Sequence, residues 1–348
     1  MKKLWGSSDE GNIYRYDISN GRLKATFMNY GANLLELYIP TSDGPRDVVL
    51  GYKDLPSYFD NDPCFGCAVT PYANRIRNAS FSFEGRTYNL DQNENGNCLH
   101  SGFHPLHKRI FDLSSYEDNS ITFSIEKKDM DLGFPGNLKI IISYTLTDDD
   151  MLLIDYEASS DKDTVFNPTN HSYFNLSGFN AGSARLLGSL LTVDADFFTP
   201  TDEAMIPTGE IRSVEGSSLD FRTPQALYSH ISDFDYEPIR IANGFDHNFV
   251  INHYDGTFRK AAVLHDPSAD ISMEVYTDMP GIQIYTGNYL KPSPIGKKCT
   301  AFHPHDGIAM ETQFFPNAVN IPSFPQPVLR AGETFHSSTG YKFIIGGM

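Results

Sequence analysis

Apolar residues recur at every second position over long stretches of this chain. The segment 138–146 alternates large apolar residues with mostly polar neighbours, and the same pattern returns over 121–125 and 271–275. This period places one face of a β-strand on a core and turns the other face outward. Helical periodicity is scarce, because only 52–59 and the stretch after Pro224 predict short helices, and no βαβ succession appears. The sequence therefore predicts an all-β fold.

Turn signals separate the predicted strands at short intervals. Asn20-Gly21 is a strong hairpin signal because both positions tolerate positive φ. Gly85 divides two short strands, and three consecutive aspartates over 148–150 divide two longer ones. Strands joined in this way favour a large antiparallel β-sandwich with about twenty short strands. Sandwiches often exceed the usual domain length, so we expect a single domain over residues 1–348.

The charge balance excludes several partners. The formal net charge of -17 disfavours nucleic acid and anionic membrane, because both recruit basic patches. Lys2 and Lys3 precede no apolar stretch of the kind found in signal peptides, and no segment is apolar enough to cross a bilayer. We therefore expect a cytoplasmic protein. No glycine-rich phosphate loop opens a helix, so a nucleotide cofactor is not predicted.

The cysteines do not form a disulfide framework. Cys64 and Cys67 have C-x-x-C spacing, but a zinc site would normally add a second ligand pair at similar spacing. His104 and His107 are irregularly spaced in a proline-containing loop. The sequence predicts reduced, packed thiols and no metal, with metal or redox use as the minor alternative.

Polar residues interrupt several strand-like segments. His171 lies within Asn-Pro-Thr-Asn-His-Ser-Tyr-Phe, and Glu311 follows the apolar run Ile-Ala-Met. A carboxylate in an internal strand is costly unless it is paired or used, and a histidine beside it would supply an acid and a base. The alternatives are a structural histidine and a glutamate held by amides or an arginine. Glu311 and Asp246 could also form the carboxylate pair of a glycosidase, an interpretation that stays open.

These segments closely resemble the aldose 1-epimerase (galactose mutarotase) family, nearly from end to end. The resemblance rests on the order and number of short motifs, of which the chief are Tyr72-Ala73-Asn74-Arg75-Ile76, Asn97-Cys98-Leu99-His100, Asn167 to Leu176, Phe245-Asp246-His247-Asn248, Pro280 to Asn288 and Glu311-Thr312-Gln313. It implies a galactose mutarotase-like supersandwich with a sugar cleft across one sheet. It also implies an isomerase of carbohydrate metabolism that interconverts the α- and β-anomers of a free hexose without a cofactor, as a monomer or homodimer.

The resemblance also implies roles for individual residues. By position in the matching motifs, Glu311 is the general base and His171 the general acid. The residues expected to bind substrate are Asn74, Arg75, His100, Asp246 and Gln283. The chain departs from the family pattern at Thr70-Pro71 and at Ser101, which are positions expected near the ligand.

Two other functions remain open on the same fold. An epimerase of a phosphorylated hexose would need an additional cation for the phosphate, and Arg77 is the nearest candidate. A non-catalytic sugar-binding protein would have lost a proton-transfer residue, whereas Glu311 and His171 are both present. Galactose and glucose are the expected aldoses, and one hydrogen bond at C4 could decide between them.

Overall fold

The computed structural model describes residues 1–346, so the last two positions of the predicted domain lie outside the described residues. Within this range the strands β1 to β28 are, in chain order, Lys2–Ser8, Gly11–Ser19, Lys24–Met28, Asn33–Ile39, Arg46–Asp47, Cys67–Val69, Arg75–Ile76, Ser80–Phe83, Arg86–Asn89, Cys98–Leu99, Asp112–Tyr116, Ser120–Lys127, Leu138–Leu146, Met151–Ser160, Thr164–Val165, Thr169–His171, Tyr173–Phe174, Leu190–Val193, Phe197–Phe198, Arg212–Ser213, Gln225–Ala226, Asp246–Val250, Arg259–Asp266, Ile271–Thr277, Gly281–Tyr285, Ile308–Gln313, Val328–Leu329 and Thr334–Ile345.

Helices are short and few. In the described residues the α-helices α1 to α3 span Leu55–Asp60, Ser183–Leu187 and Glu237–Ala242. Single 3-10 turns cover Arg77–Ala79, Leu106–Lys108, Asp131–Gly133, Leu227–Ser229, Lys297–Cys299 and Ala318–Asn320. None of these described helices has the length and hydrophobicity needed to cross a membrane.

The predicted turns are confirmed, and one predicted helix is wrong. The strand pairs β2–β3, β8–β9 and β13–β14 are hairpins at the three turn signals. Helix α1 begins at Leu55, within the predicted segment 52–59, and at its start the side chain of Asp54 accepts a hydrogen bond from Ser57 N. After Pro224 the backbone instead forms β21, which pairs with β18, and then a single 3-10 turn. Sheet pairing of Gln225–Ala226 there overrides the local helical pattern.

Three antiparallel sheets form the body of the described chain. A nine-stranded sheet has the order β11-β12-β13-β14-β28-β24-β23-β18-β21, a six-stranded sheet has the order β17-β26-β25-β22-β19-β20, and β1 to β5 form a third sheet in sequence order. Two-stranded pairs include β6 with β16 and β7 with β10. The prediction of an all-β fold built as a large antiparallel sandwich is confirmed.

One apolar core joins the three sheets. The rings of Phe27 on β3 and Tyr144 on β13 lie 4.4 Å apart, and those of Phe174 on β17 and Tyr341 on β28 lie 4.8 Å apart. A single cluster of buried residues draws on all three sheets. Because no boundary divides this cluster in the described chain, we infer one domain.

Alternation on the six-stranded sheet leaves its other face available for polar groups. Ile282 and Ile284 of β25 belong to the shared core, as do Ile308 and Met310 of β26. The residues between them point to the opposite face, since successive side chains of a strand alternate. Glu311 of β26 and Gln283 of β25 lie on that opposite face.

Candidate active site

Three neighbouring strands of the six-stranded sheet carry three of the predicted site residues, Glu311, Gln283 and Asp246. Glu311 on β26 is the register partner of Gln283 on β25, and Gln283 in turn pairs with Asn248 on β22. Asp246 lies two residues before Asn248 and therefore on the same face. Its Oδ1 accepts a hydrogen bond of 2.5 Å from Gln283 Nε2. A row of polar groups thus crosses the sheet.

His171 reaches this row from a separate pair of strands. It ends β16, which pairs with β6 and places His171 opposite Cys67. The Nε2 atom of His171 lies 3.5 Å from Oε1 of Glu311, with 6% and 2% of the two side chains exposed. Within the described chain, His171 Nδ1 and Glu311 Oε2 have no hydrogen-bond partner. Both groups therefore retain capacity for a ligand.

Arg75 closes one side of the polar row. Its Nε and one terminal nitrogen donate to both oxygens of Glu94 at 2.7 and 2.6 Å. Its other terminal nitrogen lies 3.8 Å from Asp246 Oδ2. Glu94, which the sequence did not single out, therefore fixes the guanidinium in a bidentate pair. No periodic pattern marks Glu94, because it lies in the irregular segment before β10.

Two hydrogen bonds join Asn74 and His100, one between their backbones and one from the Asn74 backbone to the His100 ring. Asn74 N donates to His100 Nδ1 at 3.2 Å, and His100 N donates to Asn74 O at 3.1 Å. Since Nδ1 accepts a hydrogen bond, the ring proton lies on Nε2, which leaves an N–H donor. Burial lowers the pKa of His100 to about 3, so the ring is neutral. Its centroid lies 5.3 Å from that of His171, edge to face.

The two departures from the family pattern meet beside this pair. Tyr72 follows Thr70-Pro71, and its backbone N donates to Ser101 Oγ at 3.0 Å. The Ser101 hydroxyl donates in turn to Tyr72 O at 3.0 Å. Ser101 therefore ties the loop after His100 to the segment that leads into Asn74.

The seven predicted site residues form one closed circuit. His171 contacts Glu311, Glu311 pairs across the sheet with Gln283, and Gln283 bonds Asp246. Asp246 faces Arg75, and the Asn74 side chain accepts a hydrogen bond from Arg75 N at 2.8 Å. His100 completes the circuit between Asn74 and His171. The structure thus brings together all seven predicted residues, which come from six segments of the chain.

Burial dominates the electrostatics of the circuit. Burial raises the pKa of Glu311 well above its ordinary value, and the nearby Asp246 carboxylate raises it further. Burial likewise lowers the pKa of His171. Opposing effects come from the same circuit, because Arg75 lowers the pKa of Glu311 and Asp246 raises that of His171. Arg75 therefore favours the ionised form of Glu311, and Asp246 favours the ionised form of His171 while disfavouring that of Glu311.

An aromatic cavity adjoins the circuit without containing it. It measures about 200 Å³, and Tyr173 and Tyr285 are among its lining residues. The centroids of these two rings lie 5.1 and 6.3 Å from that of His171. Sequence could not single out these tyrosines among 19 in the chain. The cavity gives the polar cluster an apolar neighbour of the kind that a sugar ring can contact.

A family model described as aldose 1-epimerase matches residues 14–342. This chain belongs to the aldose 1-epimerase family. Galactose mutarotase of Bos taurus is 37% identical over 338 residues, covering 96% of this chain and 95% of that protein. Aldose 1-epimerase of Escherichia coli (strain K12) is 35% identical over 330 residues, covering 94% and 93%.

Solved structures of aldose 1-epimerase relatives have the same architecture. A GalM/aldose epimerase homologue from C. elegans superposes with a TM-score of 0.86 at 29% identity, covering 95% of this chain and 98% of its own. Galactose 1-epimerase from Lactobacillus acidophilus NCFM has a TM-score of 0.86 at 26% identity, covering 99% and 98%. The predicted family and fold are confirmed, and the chain is an isomerase.

Proposed function

We propose that this chain is a mutarotase that interconverts the α- and β-anomers of free hexoses such as galactose and glucose. Glu311 acts as the general base and His171 as the general acid. The observation that carries the proposal is the buried pair itself, with His171 Nε2 and Glu311 Oε1 at 3.5 Å and an unpartnered atom on each side chain among the described residues. The names of the relatives support the same reaction.

The reaction needs one proton acceptor and one proton donor on the same sugar. Glu311 takes the proton of the C1 hydroxyl while the bond between C1 and the ring oxygen breaks. His171 gives its proton to the ring oxygen, which leaves an open-chain aldehyde. Rotation about the C1–C2 bond presents the other face of the carbonyl, and closure reverses both proton transfers. No atom is gained or lost, so the pair needs only one proton between its members.

Neighbouring charges support this division of roles. A base must be ionised and an acid protonated at the same pH, whereas burial favours the neutral form of each group. Arg75 acts on Glu311 and Asp246 acts on His171 in the directions that catalysis needs. We propose that these two residues tune the pair as well as bind sugar.

The remaining residues offer both donors and acceptors to sugar hydroxyls. We propose that His100 donates through Nε2, that Asp246 accepts, and that Arg75 and the amides of Asn74 and Gln283 complete the set. Gln283 Oε1 is buried and has no partner within residues 1–346, so it is free to accept a hydrogen bond from a sugar hydroxyl. The cluster is thus matched to a small molecule rich in hydroxyl groups.

The charges near the site support a free sugar over a sugar phosphate. Arg75 is paired with Glu94, and Arg77, the candidate phosphate ligand, donates to Asp202 at 2.6 Å. A phosphate would have to displace a carboxylate from either arginine. We therefore propose an uncharged hexose as the substrate.

Polarimetry on freshly dissolved α-D-galactose and α-D-glucose tests the proposal. We expect the wild-type chain to accelerate the decay of optical rotation, and Glu311→Gln to lower this rate by about 100-fold or more. Glu333→Gln, which changes an exposed carboxylate, is the matched control and should leave the rate unchanged. A folded protein that accelerates neither sugar refutes the proposal; activity on a hexose phosphate, or sugar binding without turnover, would then identify the alternative.

A further inference from the structure

Three buried side chains that could bind a metal ion lie together next to the strand that carries His171. One ligand atom from each of Cys64, Cys67 and His107 falls within 4.8 Å of the other two. The Cys64 Sγ atom is 3.8 Å from His107 Nε2. The cluster joins the C-x-x-C turn to the 3-10 turn Leu106–Lys108, which the sequence placed in an unrelated loop. His104, the other histidine of that loop, is exposed and outside the cluster.

We propose that Cys64, Cys67 and His107 bind a thiophilic divalent cation of the Zn²⁺ class. In tetrahedral zinc sites the Zn–S bond is about 2.3 Å and the Zn–N bond about 2.0–2.1 Å, which separates sulfur from nitrogen by about 3.6 Å. The observed distance of 3.8 Å between Cys64 Sγ and His107 Nε2 is therefore already close to the distance expected between two ligands of one zinc ion. Little movement is needed to receive the ion.

The surroundings of the cluster are those of a thiolate site. Asn61 Nδ2 donates to Cys67 Sγ at 3.2 Å, while Asn61 Oδ1 accepts from Phe65 N at 2.9 Å and fixes the turn. Cys67 N closes the turn by donating to Cys64 O at 3.1 Å. Hydrogen bonds of this kind orient metal ligands and stabilise negative sulfur.

His107 has little other use in the described fold. The residue is 3% exposed, and its Nδ1 has no hydrogen-bond partner among residues 1–346. Its Nε2 faces the thiol of Cys64. A buried imidazole that ties no other element to the core is available as a ligand. The proposed mechanism uses none of these three side chains.

The cluster is also connected to the catalytic strand. Cys67 is the register partner of His171 across β6 and β16. Three protein ligands leave a fourth coordination position for water. Cys64 is 8% exposed whereas Cys67 is fully buried, so the ion and its water would enter beside Cys64. A bound ion would brace the strand opposite His171.

Cobalt binding to the reduced, chelator-treated full chain tests the site. We expect a thiolate-to-Co²⁺ charge-transfer band and tetrahedral d–d bands that saturate at one ion per chain and disappear when Zn²⁺ displaces cobalt. Changing an outer-shell partner typically weakens metal affinity by about 10–100-fold, so Cys64→Ser, Cys67→Ser and His107→Gln should each weaken it at least as much. Cys98→Ser and the exposed Cys299→Ser are the controls and should keep the spectrum.

Defined results would overturn the site. A reduced wild-type chain without the charge-transfer band refutes it, whether or not Cys64 and Cys67 form a disulfide in air. A band that survives Cys64→Ser but is lost in Cys299→Ser shows adventitious binding to a surface thiol and also refutes it. The number of Co²⁺ ions bound per wild-type chain still tests the site even if one of the variants fails to fold. Because the readout is a spectrum, its failure is distinguishable from failure of mutarotation.

Discussion

The Nε2 atom of His171 lies 3.5 Å from Oε1 of Glu311, although the two residues come from different sheets. Strand β16 carries the histidine and β26 the glutamate. Neither strand pairs with the other, so side-chain packing rather than a shared backbone ladder sets their separation. The proposed proton transfers depend on this distance, because a base and an acid must both reach one sugar.

The two histidines of the circuit should have separable roles. His171→Asn removes the proposed acid and should lower kcat by about 100-fold or more. His100→Asn removes a proposed sugar donor and should act mainly on KM. Steady-state polarimetry of both variants on galactose measures their separate effects on kcat and on KM. Equal effects of the two substitutions on kcat would contradict the assignment of His171 as the acid.

Glu311→Gln should stabilise the fold in a pH-dependent way. Burial raises the pKa of Glu311, so the folded state binds its proton more tightly than the unfolded chain does. As pH rises from the ordinary glutamate value of about 4.3, the wild type progressively loses stability, up to the raised folded pKa. The glutamine variant does not titrate there. Its advantage in Tm should therefore be larger at about pH 8 than at about pH 4.

Thermal unfolding at both pH values measures this difference. The exposed Glu333→Gln serves as the matched control and should show little change with pH. If the gain in Tm from Glu311→Gln were the same at both pH values, burial would not raise the pKa of Glu311 in the folded state.

Asp246→Asn should move the acid limb of the pH–rate profile to lower pH. After burial, the Asp246 charge is the next cause of the raised pKa of Glu311. Removing it lowers that pKa, so the base stays ionised in more acidic solution. The profile of kcat, measured at saturating sugar, reports the shift despite weaker binding. An acid limb that stays in place, or one that Asp202→Asn moves equally, would count against the coupling.

A buried ion pair away from the circuit predicts a loss of stability. Lys297 Nζ donates to Asp47 and to the carbonyls of Leu35 and Val49. Lys297→Met should cost about 3–5 kcal/mol of unfolding free energy, because it leaves the Asp47 charge buried without its partner. Lys298→Met, at the exposed next position, should change stability by less than about 0.5 kcal/mol.

Denaturant unfolding of both variants measures these costs. Adding Asp47→Asn to Lys297→Met should recover part of the loss, since the unpaired charge is then gone. Equal stability of the Lys297 and Lys298 variants would contradict a structural role for the buried pair.

Local patterns account for much of the fold. The alternation over 138–146 and the turn at Asn20-Gly21 predicted strands and hairpins that the structure contains. The helix predicted after Pro224 was wrong because pairing with β18 is a tertiary contact that the local pattern does not encode. The bidentate partner of Arg75 was missed for a related reason, since Glu94 lies in a loop with no periodicity.

The sequence by itself determined the fold class, the family and the identity of the polar side chains, because strand alternation and short motifs are local properties of the chain. Only the tertiary structure decided which groups meet. It joined seven residues from six segments into one circuit, and it brought His107 to the C-x-x-C turn rather than leaving it with His104. Distances and burial arise from packing between segments far apart in sequence, and burial in turn sets the pKa of Glu311.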